Sequence, residues 1–282
     1  MLDRAVKGKQ LIMDFNVRKR VTISAALVLL VMIGSGLFID AGNITVNLES
    51  KNQSPSFAHL FGTDWLGRDM LMRTLKGLTF SFGVGIIAAL LSTMIALLLS
   101  LFSTWNKTTD YLVTWLIDLF LSVPHLVTLL LISFAIGGGF KGVVIGLALT
   151  HWPSLTRLLR AEVLQIKTAD YVGVSRRLGK SRLWIARHHF LPHIFPQLIV
   201  GFILLFPHAI LHEASITFLG FGLSTETPAI GIILSESTRY LSTGLWWLSF
   251  FPGVSLLVMV GLFDALSRSG QRLIDPLHGQ RG

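Results

Sequence analysis

The polarity pattern of the chain is dominated by apolar runs about 20 residues long, the length a helix needs to cross a bilayer. Short polar and basic segments separate these runs. The pattern therefore predicts an all-α membrane protein with six transmembrane helices. The six spans are expected near residues 21–39, 78–103, 111–136, 142–160, 193–217 and 246–266.

The first apolar run follows a basic segment at residues 1–20, and the combination is similar to a secretory signal. The apolar part of a signal peptide is about 7–15 residues long and leads to small residues at the cleavage site. The run here is longer, and it ends at Phe38-Ile39-Asp40-Ala41, which is a poor cleavage site. We therefore expect an uncleaved first span.

Charged residues are scarce and mostly basic. The chain carries 24 Lys and Arg against 15 Asp and Glu, a net charge of +9, and 14% of its residues are charged. Soluble domains carry about 25% charged residues, so a soluble surface is excluded. The basic residues lie between apolar runs and not in one stripe, which favours topology signals over nucleic-acid binding. They concentrate before the first span, between the fourth and fifth, and after the sixth, which predicts cytoplasmic N- and C-termini.

Catalytic chemistry has no support in the sequence. Cysteine is absent, which excludes disulfides, zinc thiolate sites and thiol catalysis. The sequence contains no Gly-x-x-x-x-Gly-Lys-Ser/Thr phosphate loop. It also shows no arrangement of paired carboxylates or of Ser, His and Asp that indicates hydrolysis. We expect neither an enzyme nor a cofactor bound by this chain.

The longest interior segment, residues 160–192, predicts two short helices joined at Gly179. Glycine just after a helix allows the left-handed conformation that turns the chain sharply. The second stretch, 183–192, is amphipathic and is predicted to end at Pro192. An interfacial hairpin on the lipid surface and a docking element for a partner protein both fit this pattern.

This interior segment resembles the cytoplasmic EAA loop of ABC importer permeases. That loop reads Glu-Ala-Ala, three residues, Gly, nine residues, Ile, one residue, Leu-Pro. The chain has the Gly and the Leu-Pro at the right spacing, but Gly173-Val174-Ser175 stands in place of Glu-Ala-Ala and His189 in place of Ile. The resemblance implies ATPase-coupling roles for Tyr171, Gly173, Ser175, Gly179, Leu191 and Pro192.

Three further motifs resemble the dipeptide/oligopeptide/nickel permease family. The segment 61–69, Phe-Gly-Thr-Asp-Trp-Leu-Gly-Arg-Asp, is similar to the family signature before the second span. The segment 214–222 is similar to the family's Ala-x-x-x-Phe-Leu-Gly-x-Gly, and Arg272-Leu-Ile-Asp275-Pro276 to its Leu-Asp-Pro ending. The segment Pro228-Ala-Ile-Gly231 departs from the family, which usually has Trp before that glycine. The signature residues are Gly62, Thr63, Asp64, Gly67, Arg68 and Asp69.

The resemblance implies a type I ABC importer permease fold, with a transmembrane domain at residues 21–276 and a C-terminal tail at 277–282. It implies a second homologous permease subunit, two ATP-binding subunits and an extracytoplasmic substrate-binding protein as partners. ATP and Mg would bind to the partner ATPase subunits. The chain would lie among membrane lipid in the plasma or inner membrane.

Ionisable residues within the predicted spans are candidates for the translocation path, because such groups usually face a bundle interior or water. His208 and His212 are four residues apart and share a helix face, a spacing that metal ligands also use. Structural hydrogen bonds and contact with a metal or metal chelate both stay open for this pair, so no metal site is assigned. Asp118 and His125, about two turns apart, are expected to share a face. The path-lining candidates are His208, His212, Glu213, Asp118 and His125.

The resemblance to nickel-type permeases includes the two histidines four apart and the segment Thr150-His151-Trp152. This resemblance favours import of nickel or a metal chelate as the function, with di- or oligopeptide import by the same machinery as the alternative. A stand-alone secondary transporter would need inverted repeats and broken helices in both halves, and a membrane-embedded hydrolase would need a nucleophile and a base. The sequence shows neither pattern.

Overall fold

A computed structural model describes residues 2–40, 42 and 44–274, with side chains described from residue 20 to residue 269 of those ranges. These residues form helices and loops without a β-strand, which confirms the predicted all-α class. The predicted tail at 277–282 and the last two residues of the motif ending at Pro276 lie outside the described residues. The helices are α1 Leu2–Phe38, α2 Met70–Phe102, α3 Lys107–Ser122, α4 His125–Ala135, α5 Gly139–Lys167, α6 Asp170–Arg177, α7 Arg182–Ile185, α8 Leu191–Phe218, α9 Ile230–Thr238 and α10 Trp247–Ile274.

The chain divides into two compact units. The first contains Met1–Thr79 and Ser237–Gly282, and the second contains Phe80–Glu236. In the first unit α1 packs along α10, and Thr22 Oγ1 donates a hydrogen bond to Ser269 Oγ at 2.9 Å. Lys76 Nζ, at the start of α2, donates to the Ile39 carbonyl at the end of α1 at 2.7 Å.

The second unit has two apolar cores. One joins α2, α3, α5 and the α6–α8 segment around the buried side chains of Leu159, Val163 and Ile194. The other joins α2, α4, α5 and α8 around Leu129, Leu147 and Ile216. Both cores are built on α5, which therefore lies inside the unit and positions the side chains described below.

The predicted span at 111–136 is not one continuous helix, because the structure breaks it into α3 and α4 with a bend of 99°. The break lies at Pro124. Proline has no N–H to continue the helix, and it drives the preceding residue out of the helical region. Val123 accordingly has φ −102° and ψ 140°, an extended conformation.

Four of the described helices are long and apolar enough to cross a membrane, or five if α3 and α4 together make one span. The remaining predicted span, 142–160, corresponds to α5, which has 29 residues but is less apolar than the others. Its segment His151-Trp152-Pro153 is buried within the second unit. The charged residues that lower the hydropathy of α5 all lie outside this buried segment.

The prediction that the second amphipathic stretch ends at Pro192 is also wrong. Residues Arg182–Phe218 form one continuous helical path that runs through Pro192. The turn Ala186–Phe190 is a π-helix, with the Leu191 N–H donating to the Ala186 carbonyl. This wider turn accommodates the ring of Pro192, which would otherwise clash with the carbonyl one turn before it.

Candidate functional site

The family signature forms a closed loop before α2, organised around the carboxylate of Asp64. Its Oδ1 accepts hydrogen bonds from the backbone N–H groups of Leu66 and Arg68, both at 2.9 Å. Its Oδ2 accepts from Arg68 Nε and Arg73 Nη1, both at 2.7 Å. Asp64 is completely buried, so its charge is balanced by these two guanidinium groups and not by water.

Asp69 ends the signature and caps α2. Its Oδ1 accepts from the N–H groups of Leu71 at 2.9 Å and Met72 at 3.1 Å. The first N–H groups of a helix have no partner within the helix, and an aspartate at the cap satisfies them. Its Oδ2 lies 2.8 Å from His59 Nδ1, which ties the start of α2 to the loop before it.

The glycines of the signature allow the loop to fold back on itself. Gly62 has φ +71° and Gly67 has φ +73°, in the left-handed region that glycine occupies readily. A Cβ on Gly67 would lie 1.7 Å from the Asn47 carbonyl oxygen, so the position has no room for a side chain. Thr63 Oγ1 accepts from the Gln53 N–H at 2.9 Å on the same side of the loop.

Aromatic contacts attach the signature loop to the segment around the start of α10. Trp65 stacks on Tyr240 at 4.7 Å, and Phe61 stacks on Phe251 at 4.6 Å between ring centroids. The Arg68 guanidinium lies 5.4 Å from the Trp65 ring centre, within the range of a cation–π interaction. The signature residues thus hold the first unit together.

The loop at residues 168–192 contains the predicted turn between two helices. Gly179 has φ +75° and lies two residues beyond Arg177, the last residue of α6, as a glycine beyond a helix end commonly does. The chain then enters α7, where the Ser181 side chain caps the helix by accepting from the Trp184 N–H at 3.2 Å. The backbone of α6 begins at Asp170, so the helix has a carboxylate at its positive end.

One side of this loop is packed and the other is exposed and apolar. Val172 of α6 and Ile185 of α7 are buried in the first core of the second unit. Leu178 and Leu183, on either side of the turn, are 72% and 79% exposed. We call the exposed apolar surface of the loop the coupling face; it consists of Tyr171, Val174, Leu178 and Leu183.

Two residues that differ from the EAA motif, Ser175 and His189, contact each other. Ser175 Oγ and His189 Nε2 share a hydrogen bond of 2.8 Å. The Tyr171 ring lies edge-on to His189, with 5.3 Å between centroids. Ser175 and His189 stand where the motif has Ala and Ile, so both positions are polar in this chain.

Three histidines from three helices meet within the second unit. His125 is the first residue of α4, His151 lies in the middle of α5, and His212 lies on α8. Their ring centroids are 4.5 Å apart for His125 and His151, 4.5 Å for His125 and His212, and 5.3 Å for His151 and His212. One ring nitrogen from each lies within 4.8 Å of the others. We call this group the histidine cluster.

The remaining path-lining candidates lie in different surroundings. His208 lies one turn before His212 on α8 and is exposed. Glu213 is completely buried and accepts a hydrogen bond from Thr217 Oγ1 at 3.0 Å. Asp118 pairs with Arg157 at 2.8 Å, and both side chains are more than half exposed. The bend at Pro124 removes the helix face that Asp118 was expected to share with His125.

Sequence reasoning did not include His151 among the candidate site residues. Its helix corresponds to the predicted span at 142–160, but the segment around His151 stood out only for its resemblance to nickel-type permeases. A histidine in the middle of an interior helix was the available signal, since a polar group there needs a partner. His151 is 8% exposed, and Trp152 beside it packs on Phe120 of α3 at 5.3 Å.

Known proteins are similar to this chain over most of its length. The family model for the binding-protein-dependent transport system inner membrane component matches residues 92–277. The dipeptide transport system permease protein DppC of Bacillus subtilis (strain 168) is 31% identical over 252 residues, which cover 89% of this chain and 79% of that protein. The oligopeptide transport system permease protein OppC of the same organism is 29% identical over 255 residues, covering 90% and 83%.

Among solved structures, the MetNI methionine ABC transporter in inward-facing conformations has a chain of similar fold. The TM-score is 0.58 at 20% sequence identity, and the match covers 73% of this chain and 97% of that chain. Since the identity is low, this likeness concerns the fold alone.

Proposed function

The chain belongs to the binding-protein-dependent transport system inner membrane component family, the membrane-embedded permeases of ABC importers, and we propose that this member imports short peptides. Permeases of this kind are not themselves catalytic, and they work with ATPase and substrate-binding partners. The observation that supports peptides is the similarity to dipeptide and oligopeptide permeases over about nine-tenths of the chain. Those relatives favour the alternative of the sequence analysis, and they give no support to nickel as the cargo.

The complete importer would contain this chain, a second homologous permease, two ATP-binding subunits and an extracytoplasmic binding protein. The path would lie between the two permeases. The placement of Lys and Arg supports an orientation with both termini on the cytoplasmic side, together with the loop that carries Gly179. ATP and Mg would bind only to the partner subunits, and the binding protein would deliver the peptide.

The coupling face is the proposed contact with an ATPase subunit. Its exposed leucines flank the turn at Gly179, while Val172 and Ile185 hold the other side of the loop in the core. A displacement of the loop by the ATPase would therefore move packed side chains of α5 and α8, because close-packed interiors transmit strain. Leu191 and Pro192 lie where this loop joins α8, so the movement would pass directly into a spanning helix.

The cargo is tested with the reconstituted importer. The complex in liposomes, supplied with its cognate binding protein, should hydrolyse ATP faster with a labelled dipeptide or oligopeptide and accumulate the label inside. Nickel, alone or as a chelate, is assayed in parallel and should do neither. Stimulation and uptake with nickel but not with peptides would refute the proposal.

A further inference from the structure

We propose that the histidine cluster of His125, His151 and His212 is a binding site for one divalent transition-metal ion, distinct from the cargo. Each helix that meets there contributes one imidazole. Three imidazoles with an open fourth position are a donor set that zinc uses in proteins. Neutral nitrogen donors favour Zn²⁺, Co²⁺ and Cu²⁺ over Mg²⁺ and Ca²⁺, which prefer oxygen.

The hydrogen bond of His151 determines which of its ring nitrogens is available to bind a metal ion. Its Nδ1 lies 2.9 Å from the Leu147 carbonyl oxygen, which can only accept, so Nδ1 carries the proton. Nε2 of the neutral ring then presents a lone pair. Metal-binding histidines commonly donate their other N–H to a carbonyl in this way, which holds the ring in position.

Unpartnered nitrogens at the centre of the cluster are the second observation. Nε2 of His151 and Nε2 of His125 are both buried and make no hydrogen bond within the described residues. His151 is more than nine-tenths buried, so its nitrogen has little access to bulk water. Buried polar atoms in proteins are nearly always satisfied, and one ion between the rings would satisfy both.

The spacing of the nitrogens allows coordination after a small adjustment. Ligands about 2.0–2.1 Å from zinc in a tetrahedron lie about 3.3 Å apart, and the three nitrogens here lie within 4.8 Å of one another. His125 and His212 are only partly buried, so their rings can rotate toward the fixed His151. His208, one turn before His212 on α8, is exposed.

Metal content of the purified importer complex tests the site. The complex in detergent is stripped with a chelator and titrated with Zn²⁺, for wild type, His151→Gln and His125→Gln. Each variant should bind one zinc fewer per copy of this chain, or bind it at least about 100-fold more weakly, because even outer-shell changes cost 10–100-fold. The matched control is His193→Gln, a histidine at the start of α8 outside the cluster, which should bind as wild type.

Cobalt gives a readout that does not depend on the variants folding. Co²⁺ added to the stripped wild-type complex should produce the visible absorption of a low-symmetry nitrogen site, and Zn²⁺ should displace it. Zinc should also raise the melting temperature of the wild type but not of His151→Gln, since binding to the folded state stabilises it. Wild type without the cobalt spectrum, or variants that bind zinc like wild type, would refute the proposal and leave three neutral structural histidines.

Discussion

Replacement of Gly179 by alanine or valine should uncouple ATP hydrolysis from transport while the subunit still inserts in the membrane. Gly179 has φ +75°, and a Cβ there would meet nothing within 4 Å, so the only cost is backbone strain. The left-handed conformation costs roughly 1–2 kcal/mol for a residue with a side chain, and more for a β-branched one. Each 1.4 kcal/mol is a factor of ten in the equilibrium between the native turn and other conformations.

The loss of coupling should therefore be largest in Gly179→Val and smaller in Gly179→Ala. Gly179→Asn should be close to wild type because Asn tolerates this conformation. Gly261 provides the matched control. It lies inside α10, also with open space around its Cβ position, but its φ is not positive. Gly261→Ala should preserve coupling and stabilise α10, by about 0.5–1 kcal/mol.

The assay measures peptide uptake and ATP hydrolysis on the same reconstituted complexes, with the amount of each subunit determined by gel. The valine variant should show less uptake per ATP hydrolysed, or loss of the ATPase subunits from the complex. Wild-type uptake and hydrolysis in Gly179→Val would refute the argument, because they would mean that the turn tolerates a strained residue. Equal defects in Gly179→Val and Gly261→Ala would also refute it, because a replacement far from the turn would then be as harmful as one within it.

Three further experiments test the signature loop, the contact between Ser175 and His189, and the orientation in the membrane. Asp64→Asn should lower the abundance of the subunit in the membrane, because removing the charge of Asp64 from its buried ion pair with Arg73 costs about 3–5 kcal/mol. Its control, Asp118→Asn, removes an exposed pair worth about 0–1 kcal/mol, and equal abundance of the two variants would refute the role of Asp64. Ser175→Ala and His189→Ile should each lower the free energy of unfolding by about 0.5–1.5 kcal/mol. The double variant should lose less than the sum of the two single losses, and strict additivity would mean that the hydrogen bond contributes nothing. A reporter active only in the cytoplasm should work when fused after Arg182 or Arg272 and fail after Pro55, and activity after Pro55 would overturn the proposed orientation.

Several features depend only on short segments of the chain, so they could be predicted from the sequence without the structure. The apolar runs in α1, α2, α8 and α10 exceed the length of a bilayer crossing, so they can be recognised without any knowledge of their neighbours. The turn at Gly179 follows from one residue, because glycine alone enters the left-handed region at little cost. The family resemblance was likewise readable in short ordered motifs, and the match over residues 92–277 confirms it.

Features that depend on contacts between distant residues needed the tertiary structure. Pro124 was visible in the sequence, but prolines also occur within continuous helices, as Pro207 does in α8, so the 99° bend was not predictable from that residue alone. The pairing of Ser175 with His189 joins two separate departures from a motif, fourteen residues apart.

The histidine cluster shows most clearly the difference between what the sequence predicts and what only the tertiary structure determines. Spacing along the chain placed His208 and His212 together, because a helix repeats every 3.6 residues and the sequence carries that period. The structure instead brings His212 beside His125 and His151, which lie 87 and 61 residues before it in the chain. Only the packing of α4 and α8 on α5 determines that meeting, since side chains on different helices become neighbours through the fold and not through their separation in sequence.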